Sequence, residues 1–367
     1  MDIKRKKICC FSIVFILVLF SNLTIAQTPS IPKNYQSYNI NHMEIINQGL
    51  KIIKLITNNQ INDSSFNLSF VKELKKWYDV HPMIDFTSIV ENTLTIKFID
   101  GTYTLLLDQF ITCDGYNKIN NDLISNTYKN ISNYHFEDTN KKALILNPCE
   151  SMYGGGHCKK IINILLDKGY CLDYLINQDV DISYIRDRLQ AEIIYLNTHA
   201  GYWDLDGDNK GDVVVIATGE LWTVETQEIY KFEFENQMIV EGVVGNQSFV
   251  AFTPSFIQYY YQENNFPDSL VYMATCYAGF DTSMANAFLE SGAKVYVGWK
   301  RNTISWTNSQ TSIIAFKLLA KGIPVKFVCF LIGYGCLLNL LLRSRLVYYG
   351  NGYYRISKVL TAKTSTS

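Results

Sequence analysis

The chain has 367 residues, of which 48% are hydrophobic and 18% are charged, and its formal net charge is −1. This length favours two domains, and the apolar content is sufficient for a sizeable core. The balanced charge lacks the basic excess of nucleic-acid-binding proteins, so we expect no nucleic-acid partner.

Residues 1–26 have the pattern of a secretory signal peptide. The basic stretch 4–7 precedes the run 8–20, which is apolar except for Ser12, and small and polar residues then lead to Ala26. We expect cleavage after Ala26, so that the mature protein is secreted or held at the cell surface. The alternative is an uncleaved N-terminal anchor, for which this apolar run is short.

The cysteine count suggests at least one free thiol. Cleavage of the signal peptide removes Cys9 and Cys10 from a total of nine cysteines and leaves an odd number. If Cys276 is free, the others allow at most three disulfides, and these others are Cys113, Cys149, Cys158, Cys171, Cys329 and Cys336. No Cys-x-x-Cys spacing occurs, so structural zinc is not expected.

Residues 27–140 are predicted to form a small α+β unit, either an accessory domain or a propeptide. Residues 43–56 have helical apolar spacing. Two alternating segments, 93–98 and 102–107, flank a turn at Asp100 and Gly101, which predicts a β-hairpin. The polar stretch 117–140 suits a linker or surface loop.

From residue 141 to about 360 the pattern is that of an α/β domain. We predict strands at 141–148, 170–176, 193–199, 270–275 and 293–299, and helices at 157–168, 182–189, 282–291 and 309–321. This alternation predicts a parallel sheet with covering helices. Residues 213–265 interrupt it as a β insertion, with predicted strands at 213–218, 229–234, 238–244 and 248–253.

The apolar segment 325–342 is long enough to approach a membrane span. It contains Asn339 and two glycines, and a strand-like segment follows it directly. We therefore predict that it is the last core helix of the α/β domain and expect no stable membrane span.

Two predicted buried strands each end in a reactive residue. One strand runs through EIIYLNTHAG and presents His199, and the other runs through SLVYMATCYAG and presents Cys276. Open α/β sheets place ligands at the carboxyl ends of their strands, where a thiol and an imidazole form a nucleophile and its base. The alternative is a buried core cysteine together with an unrelated surface histidine.

These motifs and the later GAKVYVGW strand resemble the caspase-like cysteine peptidases, which include gingipains, clostripain, legumain, caspases and CHAT-domain peptidases. The resemblance covers about residues 141–360. It implies an α/β sandwich with a mostly parallel sheet, helices on both faces, and His and Cys on adjacent parallel strands. It also implies that Cys276 is the nucleophile and that His199 is the general base or acid. The oxyanion donors would be the Cys276 N–H and a backbone N–H just after the histidine.

The sequence departs from the family pattern at the histidine. Ala200 stands between His199 and Gly201, so either residue's N–H could be the second oxyanion donor. The resemblance also suggests a specificity pocket near the nucleophile strand. Asp281 could meet a basic P1 side chain or cap the next helix, and Trp299 could form a pocket wall or belong to the core.

An acidic loop follows the histidine strand. Carboxylates at Asp204, Asp206, Asp208 and Asp212 alternate with turn-forming residues and could converge on Ca²⁺. Val215 stands where an EF-hand would have its twelfth-position Glu, so this would be a free-standing calcium loop with a structural role. The alternative is a solvated acidic turn.

Taken together, these patterns predict a secreted cysteine endopeptidase that hydrolyses peptide bonds through a Cys–His dyad and a thioester acyl-enzyme, without an organic cofactor. Its partner would be a peptide or protein substrate. Two alternatives stay open: a non-catalytic exported α/β binding module, and a Cys hydrolase acting on non-peptide amides.

Overall fold

The structure, a computed structural model, describes residues 42–56, 68–107, 141–245, 247–262, 265–266, 268–335 and 344–356. All of them belong to one compact unit that spans residues 40–367. The predicted signal peptide and the polar stretch 117–140 lie outside the described residues.

The described residues form helices and strands in alternation after residue 141. The helices are α1 His42–Ile56, α2 Leu68–Asp79, α3 Glu150–Tyr153, α4 Gly156–Leu166, α5 Ile182–Arg188, α6 Val224–Ile229, α7 Lys231–Glu235, α8 Pro254–Tyr260, α9 Ser283–Glu290, α10 Ser305–Ala320 and α11 Val325–Gly335. The strands are β1 Ile84–Val90, β2 Thr93–Phe98, β3 Tyr103–Leu106, β4 Lys142–Asn147, β5 Cys171–Ile176, β6 Ile193–Leu196, β7 Ala200–Trp203, β8 Val213–Leu221, β9 Ile239–Val244, β10 Gln247–Phe252, β11 Leu270–Met273, β12 Val295–Trp299 and β13 Leu346–Gly350.

A six-stranded sheet has the order β13-β12-β11-β6-β4-β5. Its neighbouring strands are parallel, except that the edge strand β13 runs antiparallel to β12. Strands β6 and β11 are buried at every position, because both faces of the sheet are covered. The predicted α/β class is confirmed.

Helices cover both faces of this sheet. On one face, residues of α4, α10 and α11 such as Ile161, Phe316 and Val328 pack against the strands. On the other face, α5, α8 and α9 pack together with part of a second sheet. The pair His199 and Cys276 therefore follows two central strands of a fully covered layer.

The second sheet has seven strands in the order β1-β2-β3-β9-β10-β8-β7. Its pairs are antiparallel, apart from the parallel pair β3–β9. The sheet curls so that the edge strand β7 meets β2. There, the N–H groups of Tyr202 and Asp204 donate to the hydroxyls of Thr93 (3.1 Å) and Thr95 (3.3 Å).

The predicted β insertion thus joins strands from the N-terminal part of the chain. Strand β3 pairs with β9 of the insertion in a parallel register from Thr104–Glu241 to Leu106–Val243. The predicted boundary near residue 140 separates strands that are hydrogen-bonded neighbours in one sheet. Whether the N-terminal part is an accessory domain or a propeptide stays a prediction.

One predicted strand of the insertion, 229–234, is wrong, because these residues lie at the end of α6 and in α7. Tyr230 and Phe234, four residues apart, face the core, whereas Ile229 and Phe232 are exposed. That spacing is helical, and Thr223 fixes the start of α6 with a capping box. The other predicted strands and helices from 141 to 321 are present, with ends shifted by a few residues.

The described part of the apolar segment 325–342 is the core-packed helix α11. Val328, Cys329 and Ile332 are buried on its inner side, as predicted for a core helix. In the described ranges, no helix combines the length and apolarity that crossing a membrane requires.

The structure describes five cysteines, namely Cys149, Cys158, Cys171, Cys276 and Cys329. The sequence allowed up to three bridges, and none joins any two of these five residues. Cys113 and Cys336 lie outside the described residues.

Candidate active site

Strands β6 and β11 place the predicted pair at one edge of the six-stranded sheet. These adjacent parallel strands pair from Ile193–Leu270 to Leu196–Met273. His199 and Cys276 each follow the last pair by three residues (199 − 196 and 276 − 273). Since neighbouring strands lie about 4.8 Å apart, the two residues occupy equivalent positions at the carboxyl edge.

The thiol of Cys276 is held by the loop that follows β12. Cys276 is 7% exposed, and its Sγ donates to Asn302 Oδ1 at 2.8 Å. The backbone N–H of Thr303 donates to the same sulfur at 3.3 Å. The protonated thiol makes the bond to Asn302, whereas the Thr303 N–H would stabilise a thiolate once one forms, because hydrogen bonds to a charged form stabilise it. Sequence reasoning missed Asn302 and Thr303, which no motif links to the cysteine.

The turn after Cys276 is fixed by three tyrosine hydroxyls. Tyr277 has a positive φ of 59°, an uncommon conformation for a residue with a bulky side chain. The carbonyls of residues 277–279 accept, in chain order, from the hydroxyls of Tyr202 (3.4 Å), Tyr296 (2.9 Å) and Tyr349 (2.8 Å). These bonds from β7, β12 and β13 hold the sharp turn that presents the thiol.

His199 is buried and uncharged at neutral pH. It is 6% exposed, and loss of solvation lowers its pKa from 6.5 to about 4. Its carbonyl accepts from the Ala217 N–H at 2.9 Å, and its own N–H donates to the thiol of Cys149. Burial raises the pKa of Cys149 to about 11, so that this thiol stays protonated. The imidazole is therefore a neutral base on a fixed backbone.

The pairing of β7 with β8 gives different hydrogen-bonding roles to the backbone N–H groups of Ala200 and Gly201, the two candidate oxyanion donors. The Ala217 N–H donates to the carbonyl of His199 opposite it, at the end of the antiparallel β7–β8 ladder, in which hydrogen-bonded positions alternate. The next hydrogen-bonded pair is Gly201 with Val215, so the Gly201 N–H belongs to the ladder. The N–H of Ala200 points to the other edge of β7.

The two residues predicted for a specificity pocket have different surroundings. The Asp281 carboxylate accepts from the backbone N–H and the hydroxyl of Ser283, both at 2.8 Å, at the start of α9. Asp281 thus bonds the first residue of α9 from the position before the N-cap Thr282, and its role in a specificity pocket stays a prediction. Trp299 is fully buried, and its indole N–H donates to Asn308 Oδ1 at 2.8 Å, which places it in the core.

The acidic loop follows the end of β7. Ligand oxygens of Asp204, Asp206 and Asp208 lie within 4.8 Å of one another, and Asp204 is buried while the other two are exposed. Asp212 is outside this group, and its carboxylate accepts from the Leu205 N–H at 2.7 Å. Three convergent carboxylates suit a hard cation such as Ca²⁺.

Comparisons with known proteins add no relative. No protein-family model, no curated protein and no solved structure gives a significant match to the chain. The residues and geometry of this edge of the sheet are therefore the basis for assigning a function.

Proposed function

We propose that the chain is a secreted cysteine endopeptidase of the caspase-like type, with Cys276 as the nucleophile and His199 as the general base. The observation that carries this proposal is the equal position of the two residues beyond the ends of adjacent parallel strands. A second support is the environment of the sulfur, which receives the Thr303 N–H. Parallel central strands covered on both faces agree with the sandwich that the resemblance implies.

In the first step, neutral His199 accepts the thiol proton as the sulfur attacks the scissile carbonyl carbon. The carbonyl π electrons move to oxygen and form a tetrahedral oxyanion. The N–H groups of Cys276 and Ala200 are the proposed donors to this oxyanion, since the Gly201 N–H is used in the β7–β8 ladder.

In the second step, the C–N bond breaks and the protonated imidazole gives its proton to the leaving amine. The product is a thioester between Cys276 and the acyl part of the substrate. His199 then takes a proton from water, whose oxygen attacks the thioester. Collapse releases the carboxylic acid and returns a proton to the sulfur.

The test uses fluorogenic peptides with basic, acidic, Asn or apolar P1 residues. We expect Cys276→Ala and His199→Gln to lower kcat by at least about a thousandfold, as expected for removal of a nucleophile or its base. Cys171→Ser is the matched control, because Cys171 is a partly exposed thiol on the far edge strand β5. It should retain full activity.

The same variants separate the alternatives. Labelling of Cys276 by a small thiol electrophile without cleavage of any peptide would favour a hydrolase of non-peptide amides. An unreactive Cys276, with Cys171 labelled normally and no turnover, would refute the proposal and favour a binding module.

We also propose that the acidic loop binds a structural Ca²⁺ through Asp204, Asp206 and Asp208. The N–H of Asp204 donates to Thr95, so an ion here would stabilise the contact between β7 and β2. Lys210 pairs with Asp208 and would compete with the ion for that carboxylate.

A further inference from the structure

A buried asparagine side chain joins the two strands that carry the candidate dyad. Asn308, in the first turn of α10, is 5% exposed. Its Nδ2 donates to Asn197 Oδ1 at 3.2 Å and to the Ala274 carbonyl at 2.8 Å. Asn197 lies two residues before His199, and Ala274 lies two residues before Cys276. The Asn308 amide thus links the two segments of the chain that lead to His199 and Cys276.

The orientation of this amide is fixed by its third contact. The indole N–H of Trp299 donates to Asn308 Oδ1, which turns the two Nδ2 hydrogens towards β6 and β11. All three bonds lie in the interior, where a polar group that loses its partner costs about 1–3 kcal/mol. This arrangement resists both rotation of the amide and a change in the spacing of the strand ends.

A further hydrogen bond connects Asn197 to another buried asparagine, Asn147, on the neighbouring strand β4. Asn197 Nδ2 donates to Asn147 Oδ1 at 2.8 Å, at the end of β4. Asn147 ends β4, which β6 separates from β11 in the sheet, so it belongs to the same buried amide chain without joining the strands that lead to His199 and Cys276. The chain therefore offers an internal control.

We propose that Asn308 is a positioning residue that sets the separation of Cys276 and His199. This inference rests on the proposed function of that pair. Proton transfer between a thiol and an imidazole depends on hydrogen-bond reach, and a misplacement of about 1 Å can cost about a hundredfold in rate. A side chain that fixes the separation of the two strands affects this transfer without touching the substrate.

The central variant is Asn308→Asp, which keeps the shape of the side chain and removes both Nδ2 donors. We expect kcat to fall at least tenfold, with KM changed less than threefold, because the substrate does not contact this residue. Asn147→Ala removes a bond of the same amide chain and should leave kcat within threefold. Trp299→Phe leaves the Asn308 amide in place but frees its orientation, and it should lower kcat by a smaller factor.

A second measurement does not depend on turnover. The rate of Cys276 alkylation by iodoacetamide is followed against pH by mass spectrometry, with Cys171 as the internal reference thiol. In Asn308→Asp the rate should fall near pH 6, where the imidazole assists, and should equal the wild-type rate at high pH, where the thiolate forms unaided. A purely structural defect would alter the exposure of the Cys276 thiol and would therefore change its alkylation rate at every pH.

The outcomes separate the two claims. An active wild type whose kcat and alkylation profile are unchanged in both Asn308→Asp and Trp299→Phe overturns the positioning role alone. An equal loss of kcat in Asn147→Ala also overturns it, since that residue does not join the two strands. If Cys276→Ala is as active as the wild type, the proposed function itself fails.

Discussion

Two buried histidines make the pH dependence of this protein a decisive test of His199. His157 and His199 are 7% and 6% exposed, and burial lowers the pKa of each from 6.5 to about 4. Only His199 is at the candidate active site, whereas His157 lies on α4 with its Nε2 3.4 Å from the sulfur of Cys158. The two residues should contribute alike to stability and differently to activity.

The sign follows from the lowered pKa. Between pH 6.5 and about 4 the unfolded chain binds a proton at each histidine and the folded chain does not, so acid favours unfolding. The stabilising effect of the neutral imidazole is complete above pH 6.5 and is lost as the pH falls towards 4. Each histidine then contributes about 1.4 kcal/mol per pH unit, and on the order of 3 kcal/mol across the whole window.

The perturbations are His157→Gln and His199→Gln, and the assay is urea denaturation at pH values from 7 to 4.5. Each variant should reduce the slope of the unfolding free energy against pH by about 1.4 kcal/mol per unit. Peptide hydrolysis should persist in His157→Gln and disappear in His199→Gln. In the wild type, the acid limb of kcat/KM should lie nearer pH 4 than pH 6.5.

Two results would refute this reasoning. A stability slope that is unchanged in both variants would show that the imidazoles are protonated in the folded state. An acid limb near pH 6.5 that survives in His157→Gln would show that His199 is solvated during turnover, and a neutral buried base would then be excluded.

Two further predictions concern the turn after Cys276 and the acidic loop. A Cβ at Gly298 would lie 2.9 Å from backbone atoms of that turn, so Gly298→Ala should lower the unfolding free energy by about 1–3 kcal/mol and reduce kcat. At Gly156 an added Cβ would meet no atom within 4 Å other than its chain neighbours and its own helix backbone. Gly156→Ala is therefore the control in the same denaturation and hydrolysis assays, and equal behaviour of the two variants would contradict the predicted clash at Gly298. Ca²⁺ should raise the Tm of the protein relative to chelator. Asp206→Asn should reduce that shift, whereas Asp179→Asn, outside the acidic loop, should not. A Tm that does not change with Ca²⁺ would favour the alternative of a solvated acidic turn.

The central strands could be predicted because their burial is visible in the sequence. Strands buried on both faces are continuous apolar runs, and the first polar residues after them mark the carboxyl edge. For this reason the sequence alone places His199 and Cys276 at one edge of the sheet. The error at 229–234 arose because a short helix with few buried positions resembles a strand over six residues.

The remaining features of the site depend on contacts that local patterns do not encode. Asn302 meets the Cys276 thiol across 26 residues of sequence, and Asn308 meets Asn197 across 111 residues. These contacts are set by where loops and helices pack on the sheet. Only the three-dimensional structure therefore shows what fixes the thiol and the strand spacing.

The curled sheet also bears on the role of the N-terminal part. Leu105 and Leu107 are fully buried in the core of this sheet, and each contributes about 2 kcal/mol that removal of the segment would forfeit.

The turn between β1 and β2 reaches the loop beside Cys276, where Glu91 lies 3.9 Å from Arg301. The Arg301 carbonyl accepts from the N–H of Tyr277, the residue after Cys276. Removal of this part would take β3 from one edge of β9, which would stay paired with β10 on its other edge, and would expose the side of the candidate site beside Arg301. Residues 84–107 thus pack against the edge of the sheet that carries the candidate site, so retention of this segment is the expected state of the active chain, and the choice between accessory domain and propeptide stays a prediction.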